Sequence, residues 1–169
     1  MKIFTIGYEA ATMDGFLSAL TKAGVVRIID VRALPLSRRP GFSKTSLAAS
    51  LATVGIDYVH LKALGTPKAG RDAAKKGDVA TLEAVYADQL ELPEAQVQAA
   101  RMLELAAERP SALLCYERDP GIATARCCWR RKHRGPRSST CMSIRVTVGG
   151  HQPATGRATL PFSSRVNGP

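Results

Sequence analysis

Gly24-Val25-Val26-Arg27-Ile28-Ile29-Asp30-Val31-Arg32 is the stretch whose reading decides the fold. Val25 to Val31 is dense in β-branched residues and reads as a strand, delivering Asp30 and Arg32 at its end. Upstream, Gly24 stops a helix that Thr12 can cap and that carries Phe16, Leu17 and Leu20. Before that helix, Lys2 to Tyr8 reads as a short buried strand with Ile3, Phe4 and Ile6 inside, closed by Gly7. Downstream, the loop Ala33 to Ser43 holds Pro35, Pro40 and Gly41. A helix from Lys44 to Val54 follows and is stopped by Gly55, and Ile56 to Leu61 is a third strand.

The pattern continues. Residues 62–78 read as a polar loop containing glycine and lysine. Leu82 to Leu90 is helical. Pro93 starts another helix, with Val97, Ala100, Leu103 and Ala107 on one face, and Pro110 ends it. Ser111 to Tyr116 is a fourth strand. Strands alternating with helices predict an α/β domain: a small, mainly parallel sheet with helices on both faces. In such sheets ligands bind at the carboxyl ends of the strands. Gly7-Tyr8-Glu9, Asp30-Val31-Arg32, His60 and Cys115 through Asp119 all fall at such ends.

At 169 residues and 45% apolar, the chain is the size of one domain with a real core. No segment approaches the roughly 18 apolar residues that cross a bilayer. Met1 to Thr5 runs straight into a strand-like pattern, without the apolar core of a signal peptide. The expected compartment is the cytoplasm. Four cysteines, two of them adjacent (Cys127 and Cys128), make no regular disulfide framework.

A net charge of +10 ordinarily points to nucleic acid. Its distribution changes that reading. Residues 1–120 hold 15 of the 24 Lys/Arg and all 14 Asp/Glu, whereas residues 121–169 hold the other 9 Lys/Arg and no acid. The basicity therefore belongs mostly to the tail, which is rich in Arg, Gly, Pro, Ser and Thr and has no sustained period except at Ser143 to Val148. The division expected is an α/β domain over 1–120 and a basic tail over 121–169, leaving the C-terminal part incomplete or disordered.

GC-rich DNA read out of register yields such a composition. Gly121 to Trp129 can be encoded GGC ATT GCC ACC GCG CGC TGC TGC TGG. Starting at the third base gives CAT TGC CAC CGC GCG CTG CTG CTG, or His-Cys-His-Arg-Ala-Leu-Leu-Leu, a polar cluster opening an apolar helix. The same frame over Ser138 to Met142 permits a strand-like Val-Asp-Val-His-Glu. Loss of one base just after Pro120 accounts for both.

With Asp119-Pro120 followed by that hidden Cys-His-Arg, the chain resembles the uncharacterised bacterial family called domain of unknown function 488. The resemblance is carried by Thr5-Ile6-Gly7-Tyr8, Ile29-Asp30-Val31-Arg32, Pro35 with Ser37-Arg38, Pro40-Gly41-Phe42 with Lys44, Gly55 to His60, Leu64-Gly65, and Leu113 to Glu117 with Asp119-Pro120. It implies a compact α/β domain and a Cys-His-Arg triplet at the start of the last helix. The translated chain departs from the family there, and at Tyr8, where the family often has histidine.

Arg32, Arg38, Arg39 and Lys44 lie on a loop entering a helix. Guanidinium forks and helix N-termini suit phosphate or carboxylate groups; a solvated loop with a structural Arg–Asp pair has the same sequence. Asp30 suits a general base or metal ligand, or an anchor for Arg32 or Arg38. Cys115 is a nucleophile if positive charge lowers its pKa, and otherwise a small buried hydrophobe. Glu117 and Asp119 suit acid–base work or Mg²⁺, and equally a turn before a helix. Glu9 is a helix-start residue. Tyr8 suits stacking or orienting a ligand. His60 suits ligand contact or a structural role. Cys127, Cys128, His133 and Cys141 have the atoms of a zinc site but not its spacing, so no metal is assigned.

The reading is of a domain processing a phosphate-bearing ligand, nucleotide or nucleic acid. The catalytic candidates are Asp30, Cys115, Glu117 and Asp119, and the ligand-binding candidates are Tyr8, Arg32, Arg38, Lys44 and His60. This copy is impaired by loss of the triplet. The alternatives are a non-catalytic anion or nucleic-acid binding module and a degraded gene product.

Overall fold

The computed structural model describes residues 2–116, 140–144 and 146. The elements run β1 (Lys2–Gly7), α1 (Met13–Lys22), β2 (Arg27–Asp30), α2 (Lys44–Ala52), β3 (Asp57–His60), α3 (Lys68–Lys75), α4 (Val79–Glu91), α5 (Pro93–Glu108), β4 (Ser111–Cys115) and β5 (Thr140–Ile144). A short 3₁₀ turn, Lys62–Leu64, follows β3.

Local chemistry sets the junctions. The Thr12 hydroxyl caps α1 by accepting from the Gly15 N–H at 3.2 Å. Gly24, at φ +69°, ends it. The Gly24 N–H donates to the Thr21 carbonyl and the Val25 N–H to the Leu20 carbonyl, the paired bonds of a Schellman motif. Gly55 repeats this device after α2: its N–H meets the Ala52 carbonyl, and that of Ile56 meets the Leu51 carbonyl. Each helix thus feeds its strand through one glycine. Leu92 separates α4 from α5 in extended geometry, the conformation that the following Pro93 imposes.

The five strands form one parallel sheet in the order β3-β2-β4-β1-β5. All carboxyl ends therefore lie along one edge. Helices cover both faces. Phe16, Leu20, Leu47 and Leu51 of α1 and α2 pack with Phe4, Ile6 and Ile28 on one face. Tyr86, Leu90, Met102 and Leu105 of α4 and α5 pack with Ile3, Ile29 and Leu113 on the other. Among the described residues, no helix is long and apolar enough to cross a membrane.

Three expectations are corrected. The polar segment 62–78 contains the 3₁₀ turn and α3. The face of α5 turned inward is Ala95, Ala99, Met102, Leu105 and Ala106, not Val97, Ala100, Leu103 and Ala107. Val97 is 70% exposed, and only Leu103 of that set packs partly against the core. Both stripes have helical spacing in an alanine-rich helix; burial of the bulkier Met102 and Leu105 decides between them. Lastly, the strand-like run in the tail begins at Thr140 rather than Ser143, and pairs with β1 from Lys2↔Thr140 to Ile6↔Ile144. Val146 beyond it is buried among the α1–α2 contacts. The rest of the tail, including the region of the proposed frame change, lies outside the described residues.

Candidate functional site: a cationic cleft at the carboxyl edge of the sheet

Asp30 is the last residue of β2 and is fully buried. Its Oδ1 accepts from the Arg32 backbone N–H at 3.0 Å and from Arg32 Nε at 2.9 Å. Its Oδ2 accepts from Arg32 Nη2 at 2.6 Å and from the Tyr58 hydroxyl at 2.6 Å. This is a two-pronged ion pair with every carboxylate position engaged. Arg32 Nη1 donates to the Tyr8 hydroxyl at 3.0 Å and to the Phe42 carbonyl at 2.9 Å. His60 Nε2–H donates to the Arg32 carbonyl at 2.8 Å. One guanidinium therefore ties the ends of β1 and β2 to the far end of the 33–42 loop.

Burial alone would lower the pKa of Arg32, but the hydrogen bonds and charge of Asp30 outweigh it and raise it. Burial, then the hydrogen bond and charge of Asp30, push the Tyr58 phenol well above its ordinary value of 10.0. Tyr58 thus remains a donor at neutral pH. Its raised pKa means that its share of stability is fully present below about pH 10 and is lost only as pH climbs through the raised value.

Aromatic rings back this network. Tyr8 stacks on Phe42 with centroids 4.7 Å apart, stands edge-on to Tyr116 at 5.4 Å, and lies 5.1 Å beneath the Arg32 guanidinium. The Glu9 N–H donates to the Tyr116 carbonyl at 2.9 Å, joining the chain after β1 to the end of β4.

In front of this wall lies an open cleft of about 680 Å³. Tyr8, Val31, Arg32, Leu114 and Tyr116 form its sheet side. The 33–38 segment contributes Ala33, Leu34, Leu36 and Arg38. Thr66, with Arg71, Ala74 and Lys75 of α3 and Leu82 of α4, closes the far side. No described lining residue is acidic. Arg38 is exposed and has no hydrogen-bond or ion-pair partner among the described residues. Arg71 donates to the Thr66 carbonyl at 2.7 Å, and Lys75 reaches the half-buried Asp72 at 3.3 Å.

The anticipated residues separate into groups. Tyr8, Arg32 and Arg38 line the cleft. Asp30 and His60 lie behind it, bonded to Arg32. Lys44 is exposed at the start of α2 and does not line the cleft. Cys115 is buried with the α4–α5 core, and likewise is not in the lining. Glu117 and Asp119, with Cys127, Cys128 and His133, lie outside the described residues, as does the Cys141 side chain. No group of three metal-ligating side chains exists among the described residues. Sequence reasoning missed Arg71, Lys75 and Tyr58. The four-residue step from Arg71 to Lys75, one helical turn, was the available signal.

The family model described as Domain of unknown function DUF488 matches residues 12–128. No curated protein and no solved structure matches the chain. The matched range takes in most of the chain, β2 through β4 and the whole cationic loop, and so the protein belongs to that family.

Proposed function

We propose that this DUF488-family domain binds a phosphate-bearing ligand in the cleft at the carboxyl edge of its sheet. The observation that carries this reading is the convergence of Arg38, Arg71 and Lys75 on one cleft with no acid in its described lining. Three cations from two separate elements line one concavity; Arg71 and Lys75 make only local contacts with Thr66 and Asp72, and Arg38 makes none among the described residues. Arginine forks suit phosphate oxygens, and clefts of roughly 300–1,000 Å³ suit small ligands.

The same geometry favours binding over chemistry by Asp30 or Cys115. Asp30 has its oxygens committed to Arg32 and Tyr58, and Cys115 is packed in the core. A processing reaction falls to Glu117 and Asp119, which follow Tyr116 at the cleft wall in sequence. The test is calorimetric titration with inorganic phosphate, comparing the protein with Arg38→Ala and Arg71→Ala. Each loses a charge-assisted bond, so an affinity loss of about tenfold is expected. Affinity in both variants equal to that of the unsubstituted protein would remove the cleft from consideration. A duplex oligonucleotide, titrated at several salt concentrations, tests the nucleic-acid alternative: backbone binding gives a steep salt slope.

A second reading concerns the tail, and rests on its complete lack of acids beside 9 Lys/Arg. We propose that this copy lost one base after Pro120, and with it a Cys-His-Arg segment that completed the site. Sequencing the coding DNA is expected to show that a single-base change there opens the Cys-His-Arg frame. The idea is abandoned if no such change does.

A further inference from the structure

We infer that the ligand is a phosphate monoester of a planar aromatic group, such as a mononucleotide, with Tyr116 as the surface on which that group stacks. This rests on the phosphate reading above and adds the other half of the molecule. Large exposed apolar side chains are few among the described residues, and three of them line this cleft: Leu34 at 53%, Leu36 at 75% and Tyr116 at 48% exposure. They face the same space as Arg38, Arg71 and Lys75. Phosphate alone would leave that apolar surface in water, and so would a sugar phosphate.

Tyr116 is built as a platform. Its backbone is fixed by the Glu9 N–H, and its ring is braced edge-on by Tyr8. Tyr8 is itself immobilised by its stack on Phe42 and by the Arg32 bond to its hydroxyl. A ring held from behind presents aromatic surface to a ligand with little ordering left to do on binding. Sheet-edge aromatics of this kind stack planar bases without regard to their hydrogen-bonding edges. The cleft volume of about 680 Å³ is that of a small-ligand site, which favours a single nucleotide over a duplex.

The test titrates the full chain with adenosine 5′-monophosphate, ribose 5-phosphate, adenosine and inorganic phosphate, at one ionic strength. The monophosphate is expected to bind about tenfold or more tighter than ribose 5-phosphate, the gain from one stacked base. Tyr116→Ala abolishes that advantage, Tyr116→Phe keeps it, and Leu36→Ser reduces it. Circular dichroism establishes that each variant is folded. If ribose 5-phosphate binds as tightly as the nucleotide, or Tyr116→Ala leaves the nucleotide's affinity unchanged, the planar group is wrong while the phosphate reading stands. If adenosine binds as tightly as its monophosphate, or no phosphate compound binds, the phosphate reading fails and this inference fails with it.

Discussion

Replacing Arg32 by methionine is expected to remove about 3–5 kcal/mol of folding stability, the cost of breaking a buried ion pair from one side. The size follows from what remains. Asp30 is fully buried, and three of its four hydrogen bonds come from Arg32. The backbone N–H bond can survive in the variant, as can that from Tyr58; the two guanidinium bonds and the positive charge cannot. A carboxylate without a counter-charge then sits at the end of a central strand. Small domains have only about 5–15 kcal/mol in total, so urea unfolding followed by circular dichroism should show a large fall in midpoint. Asp30→Leu combined with Arg32→Met removes both charges and is expected to recover part of the loss, because an apolar pair needs no desolvation. A loss below about 1 kcal/mol for Arg32→Met would show that the pair is not the anchor described. The same variant frees the Tyr8 hydroxyl and the Phe42 carbonyl. Phosphate affinity should therefore fall along with stability, although Arg32 has no described bond to spare for a ligand beyond those it already makes.

This network also marks how far the sequence could be read. Asp30-Val31-Arg32 at a strand end admitted both a reactive carboxylate and an Arg–Asp anchor, because two residues of the same strand-end run can face one another or face a ligand. Only the burial of Asp30 and the third partner, Tyr58 from the neighbouring strand, separates them. Strands and their carboxyl edge were legible because β-branched runs bounded by Gly24 and Gly55 have few other conformations. The far wall of the cleft was not. α3 buries only Gly70 and Ala73, so it has no bulky apolar period to announce a helix, and its Arg71 and Lys75 read as loop charge. The α5 face failed for a related reason: in an alanine-rich helix two stripes are equally periodic, and long-range packing against Ile29 and Leu113 selects one. Tyr116 was visible as a strand end, but its exposure beside Leu34 and Leu36 arises from the meeting of two loops distant in sequence.

The seam between Gly65 and Ala33 carries the second large effect. Gly65→Ala is expected to destabilise the fold by about 3 kcal/mol or more, at or above the usual range for overpacking. A Cβ at Gly65 would lie 2.5 Å from the Ala33 Cα, 2.7 Å from the Ala33 Cβ, and closer still to the Ala33 backbone nitrogen. Backbone atoms cannot swing aside as a side-chain tip does, so the two loops must part. Gly24→Ala gives the comparison: there a Cβ meets open space, and only the left-handed φ of +69° is penalised, at about 1–2 kcal/mol. Ala33→Gly in the Gly65→Ala background relieves only the Cβ contact and should restore little. Full rescue by that change would overturn the backbone argument. The seam has a consequence for binding because Ala33 leads within five residues to Arg38, and Gly65 within six to Arg71. Parting it moves the two guanidinium groups away from each other across the cleft. Gly65→Ala should accordingly weaken phosphate binding even under conditions where the variant is fully folded, whereas Gly24→Ala, remote from the cleft lining, should leave the affinity unchanged.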